Sequence, residues 1–270
     1  MDDVSIASDE ADARAAEAVE RHHAQLAGTL ALKVESLIAL ARAGRPLDEE
    51  VRSDLVDWCR TELVPHALAE ESTLYRVAAQ RPEGRLLVEA LLAEHQVILD
   101  MVEGLGQAAD AVTAAVTAGA LRAVFETHLV KENRQILPLL VGSPSVSVAE
   151  LLRNMHELIG IEGDHGNDRA DASGETAGHS CGCHEEDAAA LPELDARAIP
   201  HAIRHATIFG ALDGVPPGRG LVLVAPHDPL PLLAQLEQRA PGAFAIEYLQ
   251  RGPEAWRLSM VRAERVGSDA

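Results

Sequence analysis

Two copies of His-x-x-x-Glu, each inside an apolar helical pattern, constrain this chain more than any other feature. His66 and Glu70 lie in Leu63-Val64-Pro65-His66-Ala67-Leu68-Ala69-Glu70-Glu71, and His128 and Glu132 lie in Thr127-His128-Leu129-Val130-Lys131-Glu132-Asn133. Four residues along an α-helix turn about 40° past one revolution, so both side chains leave from one face. A neutral imidazole and a carboxylate placed there can hold one transition-metal ion, or hold one and bridge to a second. A single such pair is ordinarily a solvated polar pair. Two pairs on apolar helices, with single histidines on two further helical stretches, point to a shared interior site.

The helical stretches follow from periodicity and punctuation. The first runs from about Ser8 to Ala43, capped by Ser8 or Asp9 and ended by Gly44 and Pro46. Its apolar stripe is Val19, His23, Leu26, Leu30, Val34, Leu37 and Ala41, so helical phase turns His23 inward. His22 lies one residue to the side and is the alternate ligand. The second stretch runs from Asp48 to Gln80 with Pro65 inside it, and a kink or break is expected just before His66. Pro82 opens the third, whose predicted stripe is Leu91, Leu92, His95, Ile98, Leu99 and Val102. The fourth spans about Thr113 to Val141, and a short extra helix follows from Ser147 to Gly160. Short connections between long helices suggest an up-down four-helix bundle over residues 8–160.

Composition bears on partners. Hydrophobic residues make up 47% of the 270-residue chain and aromatics only 3%, so the core is built from Leu, Val, Ile and Ala. The formal net charge of −20 disfavours nucleic-acid and anionic-membrane partners. The N-terminus shows no basic segment followed by an apolar one, and no apolar run is expected to cross a bilayer. Three cysteines do not make a disulfide framework, which leaves the cytoplasm as the default location.

The inward polar residues are thus His23, His66, Glu70, His95, His128 and Glu132. Burying six such groups among Ala, Leu and Val is costly unless they are paired or metal-bound. Two cations would satisfy them. On these residues the first part of the chain resembles the hemerythrin-like HHE cation-binding domain. The resemblance rests on His23, the His66/Glu70 pair, the Glu94-His95 step, the His128/Glu132 pair, and the tails Glu70-Glu71-x-x-Leu74-Tyr75 and Lys131-Glu132-Asn133-x-x-Ile136-Leu137-Pro138. It covers about residues 10–142. It implies a non-haem di-iron centre, with Glu70 and Glu132 bridging, His23 and His66 on one iron, and His95 and His128 on the other.

The chain departs from the oxygen-carrying members of that family. Leu99 stands where they have a second third-helix histidine, and the fourth-helix pair has a four-residue rather than a five-residue spacing. The ligand set looks more like that of the repair-of-iron-centres branch. The resemblance implies a protein that binds or senses nitric oxide, peroxide or dioxygen, with iron donation in stress repair as a role and a protein partner of unknown identity. The alternatives are an enzyme that turns over peroxide or nitric oxide, and an interaction bundle that binds no metal. Near the site, Glu71 is solvated or a supporting neighbour, and Tyr75 is a packed aromatic whose hydroxyl is able to donate a hydrogen bond.

From 161 to 190 apolar periodicity vanishes and the segment reads as a linker. It contains His179-Ser180-Cys181-Gly182-Cys183-His184, where Cys181 and Cys183 are a weak redox or metal candidate beside the reading of an inert tether. Residues 191–263 alternate as β-α-β-α-β-β, a two-layer sandwich with helices on one side of a small sheet. This part resembles the DUF2249 family, which looks related to small TusA-type sulfur carriers. The carrying residues are Glu193-Leu194-Asp195-Ala196-Arg197, Arg204-His205-x-x-Ile208-Phe209, His227-Asp228-Pro229 and Trp256-Arg257. At the step where those carriers place a reactive cysteine, this chain has Ile199-Pro200, so persulfide transfer there is not expected. His205 and His227 form a second candidate ligand site if neighbouring elements bring them together.

Overall fold

The computed structural model describes residues 10–159 and 191–264, with side chains up to Met155 in the first span. The caps Ser8 and Asp9, and the linker cysteines Cys181 and Cys183, lie outside the described residues.

Four rods form the N-terminal part. The first is α1 (Glu10–Arg42). It ends where Gly44 takes a positive φ of 61°, a conformation glycine adopts without strain. The second rod is built from α2 (Glu49–Trp58), a π-helical turn over Cys59–Leu63, α3 (Val64–Ser72) and α4 (Leu74–Ala78). Asp48 caps it, its carboxylate accepting from the backbone N–H groups of Glu50 and Val51. The third rod is α5 (Pro82–Gly106). The fourth is α6 (Ala111–Lys131), a π-helical turn over Glu132–Ile136, and α7 (Leu137–Val141), with Asp110 as its cap. The first rod packs on the second and fourth, and the third packs on the same two, which closes the ring. The main core is aliphatic, centred on Leu30, Leu37, Leu55, Leu63, Leu105 and Leu121. A final helix, α8 (Val148–Ile159), lies against α1 and α3. Buried Asp12 of α1 holds its start by accepting from Ser147 Oγ and the Ala149 N–H.

Three expectations change in detail. The irregularity expected at the proline of the second rod takes the form of a π turn, with helix on either side of it. The turn precedes the proline and is closed by the Val64 N–H donating to the Cys59 carbonyl, and the widened turn absorbs the missing donor. Pro138 stands in the same relation to the second π turn, closed by the Leu137 N–H on the Glu132 carbonyl. On α5 the buried stripe is Val88, Leu91, His95, Ile98, Val102 and Leu105. Leu92 is 40% exposed, and Leu99 is only half-buried, because the stripe keeps to steps of three and four residues and each of these leucines lies one position, about 100°, beyond a stripe residue. Finally, α1 is long and apolar enough, by length and composition alone, to cross a bilayer, which corrects the expectation that no stretch would be. Here it serves as a core helix, with Leu30, Ala31, Val34 and Leu37 fully buried.

The C-terminal part follows the predicted order: β1 (Glu193–Asp195), α9 (Arg204–Asp213), β2 (Gly220–Ala225), α10 (Leu230–Arg239), β3 (Phe244–Arg251) and β4 (Trp256–Arg262). The sheet order is β1-β2-β4-β3, with β1 and β2 parallel and the other pairings antiparallel. Leu221 and Leu223 of β2 face the helices, joining Ile208, Leu212, Leu232, Leu258 and Met260 in one core.

The two parts are joined face to face. Thr207 to Leu212 of α9 are all buried, because α9 lies between its own sheet and α1. Helices approach this closely only where side chains are missing. A Cβ on Gly28 would lie 2.1 Å from the Ala211 backbone nitrogen, and one on Gly210 would lie 2.0 Å from the Ala24 carbonyl oxygen. Ala31 of α1 belongs to the core of the second domain, and Val130 of α6 packs against it.

Candidate metal centre

The six inward residues meet in the interior of the bundle, and none is more than 3% exposed. α1 supplies His23, α3 supplies His66 and Glu70, α5 supplies His95, and α6 supplies His128. Glu132 opens the second π turn. The donor atoms of Glu70, His95, His128 and Glu132 lie within 4.8 Å of one another, and so do those of His23, His66 and Glu70. Glu70 is common to both groups. Its Oε1 is 3.1 Å from His23 Nε2 and 3.2 Å from His66 Nε2, and its Oε2 is 3.9 Å from His95 Nε2. Glu132 spans the same gap less closely, with Oε1 3.3 Å from His128 Nε2 and Oε2 3.9 Å from His23 Nε2.

Three of the histidines are aimed from behind. His23 Nδ1 donates to Asn133 Oδ1 at 2.6 Å, His95 Nδ1 to Glu71 Oε1 at 2.8 Å, and His128 Nδ1 to Glu94 Oε2 at 3.0 Å. Lys131 in turn pairs with Glu94. A carboxylate only accepts, so each Nδ1 that faces one must carry the proton, and a neutral ring then presents a bare Nε2 to the interior. Glu94 and Glu71 are crossed: each neighbours one ligand in sequence and supports a ligand on another rod. Helical phase shows that a carboxylate next to a ligand is nearby, but not which rod it serves. In the sequence Asn133 and Glu94 stand out only as parts of a pattern, and their partners come from the tertiary structure.

Tyr75 also exceeds its expected role. It is 1% exposed, and its hydroxyl donates to Glu132 Oε1 at 2.5 Å. The same oxygen is 3.1 Å from His128 Nε2 and 3.5 Å from His95 Nε2. His22 stands beside the site, its ring edge-on to that of His66 at 4.8 Å between centroids, but it joins neither donor group. His205 and His227 are exposed, and among the described residues neither joins a group able to hold an ion. The expectation that they converge on a ligand therefore finds no support in the geometry.

Burial opposes protonation of His23. The hydrogen bond to Glu70 and the charges of Glu132 and Glu70 outweigh it, raising the His23 pKa from 6.5 to about 9. Burial likewise pushes Glu70 up, but the charge of His66 and the hydrogen bond from His23 hold its carboxyl well below the usual range. The stability from His23 is full below pH 6.5 and is lost as the pH rises through about 9. The stability from Glu70 is full above pH 4.5 and is lost as the pH falls toward its lowered pKa. The metal-free protein is therefore expected to be most stable between pH 4.5 and 6.5 and to lose Tm from 6.5 to 9. Thermal unfolding of chelator-treated protein across that range checks this, and a Tm that holds level or climbs above pH 6.5 contradicts it.

The donor set fits a bound cation in a way that a purely structural cluster does not. His95 Nε2 and His128 Nε2 face each other at 3.0 Å while both Nδ1 atoms are committed as donors to carboxylates. Two lone pairs at that distance repel unless a proton or a metal ion takes them. Both ring nitrogens of His66, and Glu132 Oε2, are buried without a hydrogen-bond partner among the described residues. His66 Nε2 is close to Glu70 but out of line for a hydrogen bond. Buried polar atoms are rarely left in this condition.

Fold and donors together define a class: a four-helix bundle with an interior site of four imidazoles and two carboxylates, joined to a mixed-sheet α/β domain. Residues 14–140 match the family described as the hemerythrin HHE cation binding domain. Residues 193–262 match DUF2249, described as an uncharacterized conserved protein family. The chain thus carries a hemerythrin HHE cation-binding domain followed by a DUF2249 domain, in the order that its residues suggest. No curated protein and no solved structure matches it significantly.

Proposed function

We propose that the bundle is a non-haem di-iron centre that binds or senses nitric oxide, peroxide or dioxygen, and that acts as an iron donor in stress repair. The observation that carries the metal reading is the pair of opposed Nε2 lone pairs on His95 and His128, beside the unpartnered nitrogens of His66. In this reading His23 and His66 hold one iron, His95 and His128 hold the other, and Glu70 and Glu132 bridge. Imidazole suits iron, and the two carboxylates offset the charge of two cations. Bound iron would supply open coordination positions for a small diatomic or peroxide ligand. Glu71, Glu94 and Asn133 fix the ring orientations, and the aliphatic core keeps bulk water from the donors. The C-terminal domain rests on α1, the helix that bears His23, and in this reading it passes the state of the site to a protein partner. A free, buried Cys59 suits a reducing, cytoplasmic setting.

Metal analysis after anaerobic purification tests the reading. Two irons per chain are expected, and His128→Ala is expected to lower the content by at least about half. Near-zero iron in the parent, unchanged by that substitution, would leave an interaction bundle. Nitric oxide and peroxide titrations of the loaded protein then separate binding from catalysis: stoichiometric uptake without steady-state consumption supports the sensor or donor, and sustained consumption supports the enzyme.

A further inference from the structure

Tyr75 occupies a position that a supporting residue does not need. In an octahedral site with metal–donor bonds of about 2.1 Å, adjacent donors stand roughly 3 Å apart. His95 Nε2 and His128 Nε2 are 3.0 Å apart, and His128 Nε2 and Glu132 Oε1 are 3.3 Å apart. The Tyr75 oxygen continues the same spacing, at 3.1 Å from His128 Nε2, 3.5 Å from His95 Nε2 and 2.5 Å from Glu132 Oε1. Four donor atoms from three rods therefore stand at the mutual distances of neighbours around one ion. By contrast, Asn133, Glu71 and Glu94 reach their histidines from behind, at Nδ1. Tyr75 instead reaches the inward Nε2 face. Its ring is fixed for this: it is 1% exposed and lies nearly parallel to the His95 ring, 16° from coplanar.

We propose that Tyr75 is itself a metal ligand, a phenolate oxygen on the ion held by His95, His128 and Glu132. This rests on the metal reading above and adds a donor to it. Phenolate is a hard anionic oxygen that ferric iron accepts. On binding, the phenol O–H bond breaks, the oxygen–metal bond forms, and the proton leaves to solvent, as it does when other protein ligands take up a metal. The ion's charge makes this favourable in a pocket that otherwise keeps the phenol protonated. The two ions then differ: no phenol serves the one held by His23 and His66, and that ion keeps more positions open to a small ligand.

The test uses the full chain loaded with iron and oxidised. A ferric phenolate gives an intense visible charge-transfer band, and excitation within it enhances the ring vibrations of the tyrosinate in the resonance Raman spectrum. The proposal expects both, and expects Tyr75→Phe to abolish both while the iron content per chain stays the same. Two bound irons with no such band, or a band that survives Tyr75→Phe, would overturn the ligand role of Tyr75 and leave the di-iron reading intact. Absence of iron from the parent chain would overturn both. If Tyr75→Phe does not fold, the Raman spectrum of the parent still decides, because a Tyr75 that merely donates to Glu132 shows no enhanced phenolate modes.

Discussion

In the proposed di-iron centre, Glu70→Ala is expected to release the iron on His23 and His66 and to weaken the other by about 10- to 100-fold. Glu70 is the one residue whose donors belong to both groups. Without it the first ion keeps His23, His66 and one carboxylate, Glu132, which reaches that side less closely, with Oε2 3.9 Å from His23 Nε2. The second keeps His95, His128 and Glu132 but loses a charged neighbour. The same truncation should destabilise the metal-free protein by about 3 kcal/mol, since it strips the hydrogen-bonded, buried carboxylate from His23 and leaves Glu132 as its remaining acidic neighbour. Iron analysis and denaturant unfolding of the chelated protein measure the two effects. Retention of two irons per chain would show that Glu70 is not the shared bridge. Glu94→Gln makes a useful contrast. It keeps an acceptor for His128 Nδ1 but removes the charge, so affinity should fall while both ions still bind.

Gly210→Leu is expected to prise the two domains apart. The first carbon of any side chain there would lie 2.0 Å from a backbone carbonyl oxygen of α1, and backbone in a packed helix cannot swing aside as a flexible side chain would. Overpacking of this kind costs about 3 kcal/mol or more, and the contact can yield only by separation of the helices. Amide hydrogen exchange in α9 should rise, and the radius of gyration in solution should increase, while the helices of the bundle keep their protection. Unchanged scattering and exchange would mean that α9 does not rest on α1 in solution. Because Gly210 lies outside the bundle, its substitution also asks whether metal binding by the six bundle residues depends on the docked domain.

Much of the fold could be read from local pattern. Each rod showed itself through apolar residues at helical spacing, and part of the punctuation was legible too: Gly44 as a stop and Pro82 as a start, whereas the caps Asp48 and Asp110 emerged with the structure. The order of the C-terminal elements followed from β-rich runs separated by turn residues. The six donors were legible for the same reason, since histidine and glutamate on an apolar stripe have few other places to go. Phase set the choice of His23 over His22, and the structure buries His23 completely. The π turns were not legible. Proline announces that a helix must yield, but whether it kinks, breaks or widens depends on what the neighbouring rods hold in place.

Three further features depended on contacts distant in sequence. The buried ion group of Arg122 with Glu35 and Glu126 joins α1 to α6, with Arg122 Nη1 3.0 Å from Glu35 and Nε 2.8 Å from Glu126. From the sequence these three look like residues of a solvated face. The crossed support of His95 by Glu71 and of His128 by Glu94 is equally invisible until the rods are set side by side. So is the place of Tyr75, which helical phase could only bring near the site.

The sequence by itself determined the identity of the rods, the six interior donors and the order of the two domains that the chain carries, because each of these is written in residues a few positions apart. Only the tertiary structure decided how those donors share one space, which side chain stands behind each histidine, and that the second domain is pressed against the first through Gly28 and Gly210. The physical reason is range. Helical periodicity and capping act over one or two turns, whereas donor spacing and helix approach are set by packing between segments many tens of residues apart, where a single missing Cβ or one extra residue in a turn changes the outcome.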